Sequence, residues 1–501
     1  MEVRLDSFDS LRGPRSFRFS GHRETFVATS LQDVFPVLLR VEEAVAGGLH
    51  AVGYLAYEAA PAFDPALVTH APDPRLPLAW FAVFERREES AGPGDLPEEE
   101  FSLGEWRASV EEAEYAERVG RIRELIAAGD TYQVNYTFRL RAPFRGSDLG
   151  LYRRLCLAQR SAYCALLRVG DVSVVSTSPE LFFRWADGEL ELRPMKGTRP
   201  RGRWAAEDEA LAAELPASPK ERAENLMIVD LLRNDAGRIS EWGSVRVPRM
   251  FETERYETVH QLTSTVRSRT LSGTTLTGVL RALFPCGSVT GAPKVRTMEV
   301  IRELEDGPRG VYTGALGFVS PGEAAFSVAI RTLLIDRAAG EAELGVGSGI
   351  TWDAAAAAEW RECLDKAEFV RHEPAGFRLL ETLLWEPGAG FFLLDGHLAR
   401  MAASARRFGF AFDAASAAAR LSEVAGSGPL RVRLLLARGG EVSVEAHPLS
   451  TGEASPVRVA VSTRPVDSRD PLLYHKTDHR EAYRSRAAER PDVDDVLLVT
   501  E

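Results

Sequence analysis

The chain has 501 residues, of which 45% are hydrophobic and 27% charged. That composition is ordinarily globular and excludes a disordered, collagen-like or coiled-coil chain; at about 150 residues per domain it leaves room for roughly three domains. Lys plus Arg number 61 against 73 Asp plus Glu, a formal net charge of −12, which speaks against a nucleic-acid binder, since such proteins present a cationic face.

Residues 1–10 are charged and carry no apolar core of a secretory signal. No stretch approaches 18 consecutive apolar residues, so no membrane span is expected. Cys156, Cys164, Cys286 and Cys363 form no CxxC pair and have no His at metal spacing; they read as reduced, buried thiols of a cytoplasmic protein. Residues 86–100, with Gly92, Pro93, Gly94, Pro97 and a run of glutamates, read as a solvated linker. Helical spacing predicts a helix over 109–128, punctuated by Gly129 and Asp130. Tyr132, Val134, Tyr136, Phe138 and Leu140 then alternate strictly, predicting a half-buried strand. Short strands fill 164–198, with turns at Gly170-Asp171 and Asp187-Gly188. Ser218 as N-cap and Pro219 at the first helical position open a helix to about Asn234. Strands are expected at 310–319 and 324–335. A Gly-rich loop, Gly345-Val346-Gly347-Ser348-Gly349, leads to a last helix from Asp353, and residues 371–377 mark the main domain boundary. Strands and helices come in runs, which predicts an α+β body of sheet packed on sheet with helices outside.

Two helices carry the same oddity. Glu221 and Glu224 lie three apart on one face of the first, and Glu359, Glu362 and Lys366 share a face of the last. Four converging carboxylates are costly unless a cation compensates them, and hard oxygen ligands without His or Cys favour Mg²⁺. Taken alone, each pair reads far more readily as a solvated face, with Glu362 and Lys366 as an i,i+4 ion pair. The turn 284–294, which contains Thr290, and the 345–349 loop each precede a helix and could present backbone N–H groups to an anion; with Arg331 they would suit a substrate bearing two carboxylates. Lys196, between Met195 and Gly197, could be desolvated into a nucleophile, although an exposed turn lysine is the commoner case.

Six blocks occur in order over roughly 110–370: Ser178-Pro179-Glu180; Pro194-Met195-Lys196-Gly197-Thr198; Arg222-Ala223-Glu224-Asn225 running to Arg233-Asn234-Asp235; Thr290-Gly291-Ala292-Pro293-Lys294; Ile330-Arg331-Thr332; and Gly347-Ser348-Gly349-Ile350. This set resembles the chorismate-utilising enzymes. The resemblance implies an α/β/β/α two-sheet sandwich, with residues 1–100 as its N-terminal part and 101–371 as the chorismate-binding catalytic part. Members that add water carry a lysine base where this chain has Gln133, and members that form anthranilate carry Ala where Lys196 stands. The resemblance therefore implies conversion of chorismate and ammonia to 4-amino-4-deoxychorismate on the route to 4-aminobenzoate and folate. The ammonia would come from a separate glutamine amidotransferase chain, and anthranilate formation is the alternative. It implies Lys196 as nucleophile, Glu180 handling protons and His260 near the departing hydroxyl. Thr290, Tyr312, Arg331, Gly347, Ser348, Gly349 and Lys366 would hold substrate, and Glu221, Glu224, Glu359 and Glu362 would hold Mg²⁺.

Residues 377–501 carry Phe377-Arg378-Leu379-Leu380-Glu381-Thr382, Gly396-His397-Leu398-Ala399-Arg400 and Tyr474-His475-Lys476-Thr477. These resemble the N-terminal portion of a class IV pyridoxal-phosphate (PLP) enzyme of the lyase type. The resemblance implies Lys476 as the Schiff-base lysine, Arg400 as a phosphate ligand, and a fused synthase and lyase. The segment reads as truncated, with the family's carboxylate for the pyridine nitrogen expected beyond Glu501.

Overall fold

The computed structural model describes residues 3–8, 15–371, 376–449 and 456–500. Most of the expected boundary at 371–377, and part of the charged N-terminus, lie outside these. The chain divides into two compact units: residues 1–198 with 215–374, and residues 199–214 with 375–501.

The larger unit is one continuous antiparallel ribbon folded into two sheets. In the first sheet, Gln133–Gly146 pairs with Glu341–Ile350, then come Thr332–Asp336, Val172–Ser178 and Tyr163–Val169. Val3–Asp6 pairs with Tyr163–Val169 on one side and Ser16–Ala28 on the other, and so joins the sheets. The second sheet continues through Ala79–Ser90, His50–Leu55, Ala315–Ser320, Glu323–Val328, Leu181–Ala186, Glu189–Arg193, Val259–Arg269 and Arg246–Arg255.

The side-chain period of two divides the strands between cores. Trp80, Ala82 and Phe84 face a core shared by both sheets, with Phe19, Tyr54, Leu167, Val174 and Phe318. Ala79, Phe81 and Val83 face the opposite way, under helices Leu31–Ala46, Pro219–Gly237 and Leu276–Leu283. Val134, Phe138, Leu333, Leu344 and Val346 pack beneath helices Glu112–Ala127, Asp148–Gln159 and Ala356–Ala367. These three stacked cores make the α/β/β/α sandwich.

Four local expectations are corrected. The 132–140 strand is not half-buried: residues 133–140 are all buried, because its polar members Asn135, Thr137 and Arg139 face an internal hydrogen-bonded network instead of water. Residues 86–90 are not linker but the end of strand Ala79–Ser90, paired with Ser16–Ala28. The 345–349 segment is not a loop; it lies inside strand Glu341–Ile350. The strand expected over 324–335 is broken at Arg331, whose φ is +48°.

In the smaller unit, antiparallel strands Leu379–Glu386, Leu430–Leu436 and Val442–Pro448 pack against helices Leu394–Phe408 and Ala414–Ser422 around Leu383, Met401, Phe408 and Leu434. The 199–214 segment belongs here. Arg201 grips Asp208, its Nε 2.8 Å from Oδ1, and donates to the Arg407 carbonyl, while His475 meets the Arg203 carbonyl at 2.9 Å. No helix among the described residues is long and apolar enough to cross a membrane.

Candidate active site

Lys196 sits on strand Met195–Pro200, beside Val259–Arg269. Asn225, adjacent to Glu224 on the Pro219–Gly237 helix, holds that strand. Its Nδ2 donates to the carbonyls of Lys196 (3.4 Å) and Leu262 (3.3 Å), and its Oδ1 accepts from Ser264 Oγ at 2.6 Å. The amine reaches the opposite strand: a Cβ at Gly349 would lie 3.1 Å from Lys196 Nζ and 2.1 Å from Gln133 Nε2. A side chain there would have to push both side-chain ends aside. Lys196 is half-buried, crowded by protein yet reachable by solvent, as a side chain lining a cleft is. Burial pulls its pKa down, against Glu224; Lys366 adds to the depression, while Glu180 and Glu362 oppose it.

Glu180 is 3% exposed, and its Oε1 has no hydrogen-bond partner among the described residues. Burial pushes its pKa up to about 7, despite a hydrogen bond from Ser288 and the Lys196 charge. Between about pH 4.5 and 7 the folded protein therefore holds a proton that the unfolded chain has lost, and stability falls as pH rises through this window. Removing this one ionisation with Glu180→Gln should flatten the fall by about 3 kcal/mol. Thermal melts of both proteins from pH 4.5 to 8 check this, and parallel curves would refute it. His260, fully buried, lies on the strand beside Lys196, next to Gln261, which accepts from Thr198.

The glutamate helices meet across this strand. Ser218 caps the first through the Glu221 N–H at 3.4 Å. Glu221 lies over Gly197: a Cβ there would be 2.9 Å from Glu221 Oε2, and φ is +102°. Glu224 has its pKa raised by burial, with Lys196 and Lys220 opposing and Glu221 and Glu359 reinforcing. Glu359 is raised by burial and by Glu362, against a hydrogen bond from Ser348. Glu362 is lowered by Lys366, whose Nζ lies 2.7 Å from its Oε1 and donates to the Gly347 carbonyl at 3.0 Å. The ion pair and the site are thus the same feature. Among the described residues no three His, Cys, Asp or Glu side chains converge tightly enough to hold a metal ion by themselves. The donor set, four carboxylates with two raised by burial and like charge, fits a hard cation in kind.

The substrate-side residues form the other wall. Gly347 and Gly349 pair with Thr137 and Asn135. Ser348 is buried and held by Tyr115 Oη at 3.1 Å. Asn135 N donates to the Thr290 carbonyl at 2.8 Å. The Tyr312 ring packs on Gly345 under the Arg139 guanidinium, 5.1 Å from its centroid, and burial pushes its pKa up to about 12. Arg331 is half-buried, and burial depresses its pKa against the influence of Tyr256. Among the described residues its side chain meets Gln159 Oε1 at 3.2 Å and no carboxylate. The 284–294 turn is less open than expected, because Lys294 is tied to Asp235 at 2.8 Å.

Lys196, Glu180, Glu221, Glu224, Glu359, Glu362, Lys366 and the 347–349 strand are thus neighbours. Lys476 and Arg400 belong to the smaller unit. There, buried Glu381 accepts from Arg400 Nε (2.7 Å) and meets His397 Nδ1 (2.8 Å), and Lys476, largely open to solvent, has its pKa lowered by partial desolvation, with Glu381 opposing. An amine and a guanidinium fit an aldehyde and a phosphate in kind. Sequence reasoning missed Lys220, Tyr115 and Gln159, which act on site residues from positions with no pattern of their own, and gave no role to Asn225 or Ser288 within the segments it singled out.

The model of the chorismate binding enzyme family matches residues 18–372, and that of class IV amino-transferases matches 378–501. The chain belongs to the chorismate binding enzymes. It is 49% identical over 256 residues to an aminodeoxychorismate synthase of Streptomyces pristinaespiralis, covering 51% of this chain and 35% of that one. It is 41% identical over 303 residues to aminodeoxychorismate synthase component 1 of Klebsiella aerogenes (60% and 65% covered), and 46% identical over 264 residues to anthranilate synthase component 1 of Streptomyces coelicolor (52% and 51%). The matches thus span about a third to two thirds of these relatives. Anthranilate synthase component I of Streptococcus pneumoniae superposes with a TM-score of 0.58 at 29% identity, over 67% of this chain and 85% of that one. The menaquinone-specific isochorismate synthase of Escherichia coli shares the fold, with a TM-score of 0.58 at 19% identity over 74% and 87%.

Proposed function

We propose that this chain acts as an aminodeoxychorismate synthase component I, converting chorismate and ammonia to 4-amino-4-deoxychorismate. The observation that carries the reading is the Lys196 amine, its pKa depressed, beside buried Glu180 and 3.1 Å from the Cβ position of Gly349. A lowered pKa leaves more of the amine neutral and nucleophilic. Nζ bonds to C2 of the ring as the C4–O bond breaks; protonated Glu180 supplies the proton that lets the hydroxyl leave as water, and His260 stands by that oxygen. Ammonia then bonds to C4 as the C2–Nζ bond breaks, and the ammonium proton released returns to Glu180. Two displacements leave nitrogen on the face from which oxygen departed.

Arg331, Tyr312, Thr290 and the N–H groups of 347–349 hold the enolpyruvyl carboxylate, and Lys366 lies by the ring carboxylate. Glu224 and Glu362 would ligate Mg²⁺, with Glu221 and Glu359 through water; when bound, the ion supplies electrostatic stabilisation at the ring carboxylate. Ammonia comes from a glutamine amidotransferase chain, and the reaction serves 4-aminobenzoate and folate synthesis in the cytoplasm. In the smaller unit, Lys476 and Arg400 would hold PLP, which supplies an electron sink for lyase chemistry. Incubated with chorismate, Mg²⁺ and ammonium salt, the protein should yield aminodeoxychorismate, and chromatography should find no anthranilate. Anthranilate as the main product would give the assignment to the alternative.

A further inference from the structure

We propose that Arg309 is a positioning residue that holds together the wall receiving the substrate's enolpyruvyl carboxylate; this rests on the reading of that wall given above. Arg309 is buried, 2% exposed, in the turn between helix Lys294–Leu304 and Tyr312. Its guanidinium spans three chain segments. Nη1 donates to the Val289 carbonyl at 2.7 Å, one residue before Thr290. Nη2 donates to the Asn135 carbonyl at 2.7 Å, on the strand paired with 347–349. Nε and Nη2 grip both oxygens of Glu305 at 2.9 and 2.6 Å, and Glu305 Oε1 accepts in turn from the N–H and hydroxyl of Thr137, each at 2.9 Å. The backbone is pinned as well. Buried Glu58 accepts from the N–H groups of Arg309 (2.7 Å) and Gly310 (2.9 Å), which sets the turn that delivers Tyr312. The guanidinium lies 4.6 Å from the Tyr57 ring centroid.

The contacts fall on backbone next to the substrate-side residues: Val289 precedes Thr290, and Asn135 and Thr137 pair with Gly349 and Gly347. A planar fork with five donors can bridge two carbonyls and a carboxylate at once, whereas a lysine is a point donor and cannot. Losing the fork frees the Tyr312 turn from the Thr290 turn and the Asn135 strand, which remain joined to each other through the Asn135 N–H and the Thr290 carbonyl. The loss then falls on substrate affinity, because the strand that carries Lys196 is held separately, by Asn225 at the Lys196 carbonyl.

The test is calorimetric titration of chorismate into wild type, Arg309→Lys, Arg309→Met and Glu58→Gln, with melting curves and kcat in parallel. Arg309→Lys should weaken chorismate binding at least tenfold and raise KM likewise, while kcat at saturation falls less than threefold. Arg309→Met should be weaker still, and Glu58→Gln should weaken binding about threefold. If the methionine variant does not fold, the other two decide. A merely structural arginine would lower the melting temperature and the number of competent sites but leave the Kd of the remaining sites unchanged, and that result overturns the proposal. Wild type that fails to bind chorismate overturns the reading of the wall, and this inference with it; wild type that binds while the variants bind equally well overturns the hub alone.

Discussion

Lys196→Ala should lower aminodeoxychorismate formation by about a thousandfold or more, the scale expected when a covalent nucleophile is removed. The protein should remain folded. The side chain is half-buried in a cleft and among the described residues its amine makes no hydrogen bond, while the strand is held through its carbonyl by Asn225, which the substitution leaves in place. Removing a desolvated cation also relieves a burial cost. Glu180 and Glu224 lose a positive neighbour, so both should bind protons more readily. Any residual turnover should shift toward anthranilate, since ammonia can then attack only at C2. Product ratios by mass spectrometry, with far-UV spectra as the folding check, decide the matter. Normal aminodeoxychorismate turnover by the alanine variant would refute the covalent route.

Arg331→Met should split affinity from stability. Its guanidinium is half-buried with one neutral partner, Gln159, and no carboxylate among the described residues. An uncompensated cation in such a place costs folding energy, and an incoming carboxylate repays it. Methionine keeps much of the length without the charge, so the melting temperature should hold or rise. Losing a charge-assisted contact to a desolvated carboxylate is worth about 2–5 kcal/mol, so KM for chorismate should rise roughly thirtyfold or more. Melting curves and initial rates on one preparation test both halves. A variant that loses stability while keeping its KM would show that Arg331 holds the fold and not the substrate.

Much of this site is legible in the residues, and the gaps have physical causes. Glu221 with Glu224, and Glu359 with Glu362, are readable as shared helix faces because the helical period is local. That Glu224 and Glu359 act on one another is not readable, because it depends on how two elements more than a hundred residues apart pack. The 345–349 segment reads as a loop because glycine disfavours strands. It is a strand because it pairs with Gln133–Gly146, and it carries glycine because the Tyr312 ring and the Tyr136 carbonyl leave little room for a Cβ at 345 and 347; both causes are tertiary. The 132–140 strand shows its apolar face plainly, but nothing local reveals that Thr137 and Arg139 are buried as well, since their partners Glu305 and Pro308 come from distant sequence. Asn225 passes as an ordinary helical residue until its two carbonyl partners are seen.

That last contact has a mechanical consequence. The backbone of Lys196 and the acidic helix share one tether, so a displacement of either is passed to the other, as in a jig whose jaw and anvil are cut from one block. Ions of different radius would then shift the attacking atom as well as the field around it. Comparing turnover across divalent cations would read out how stiff that linkage is.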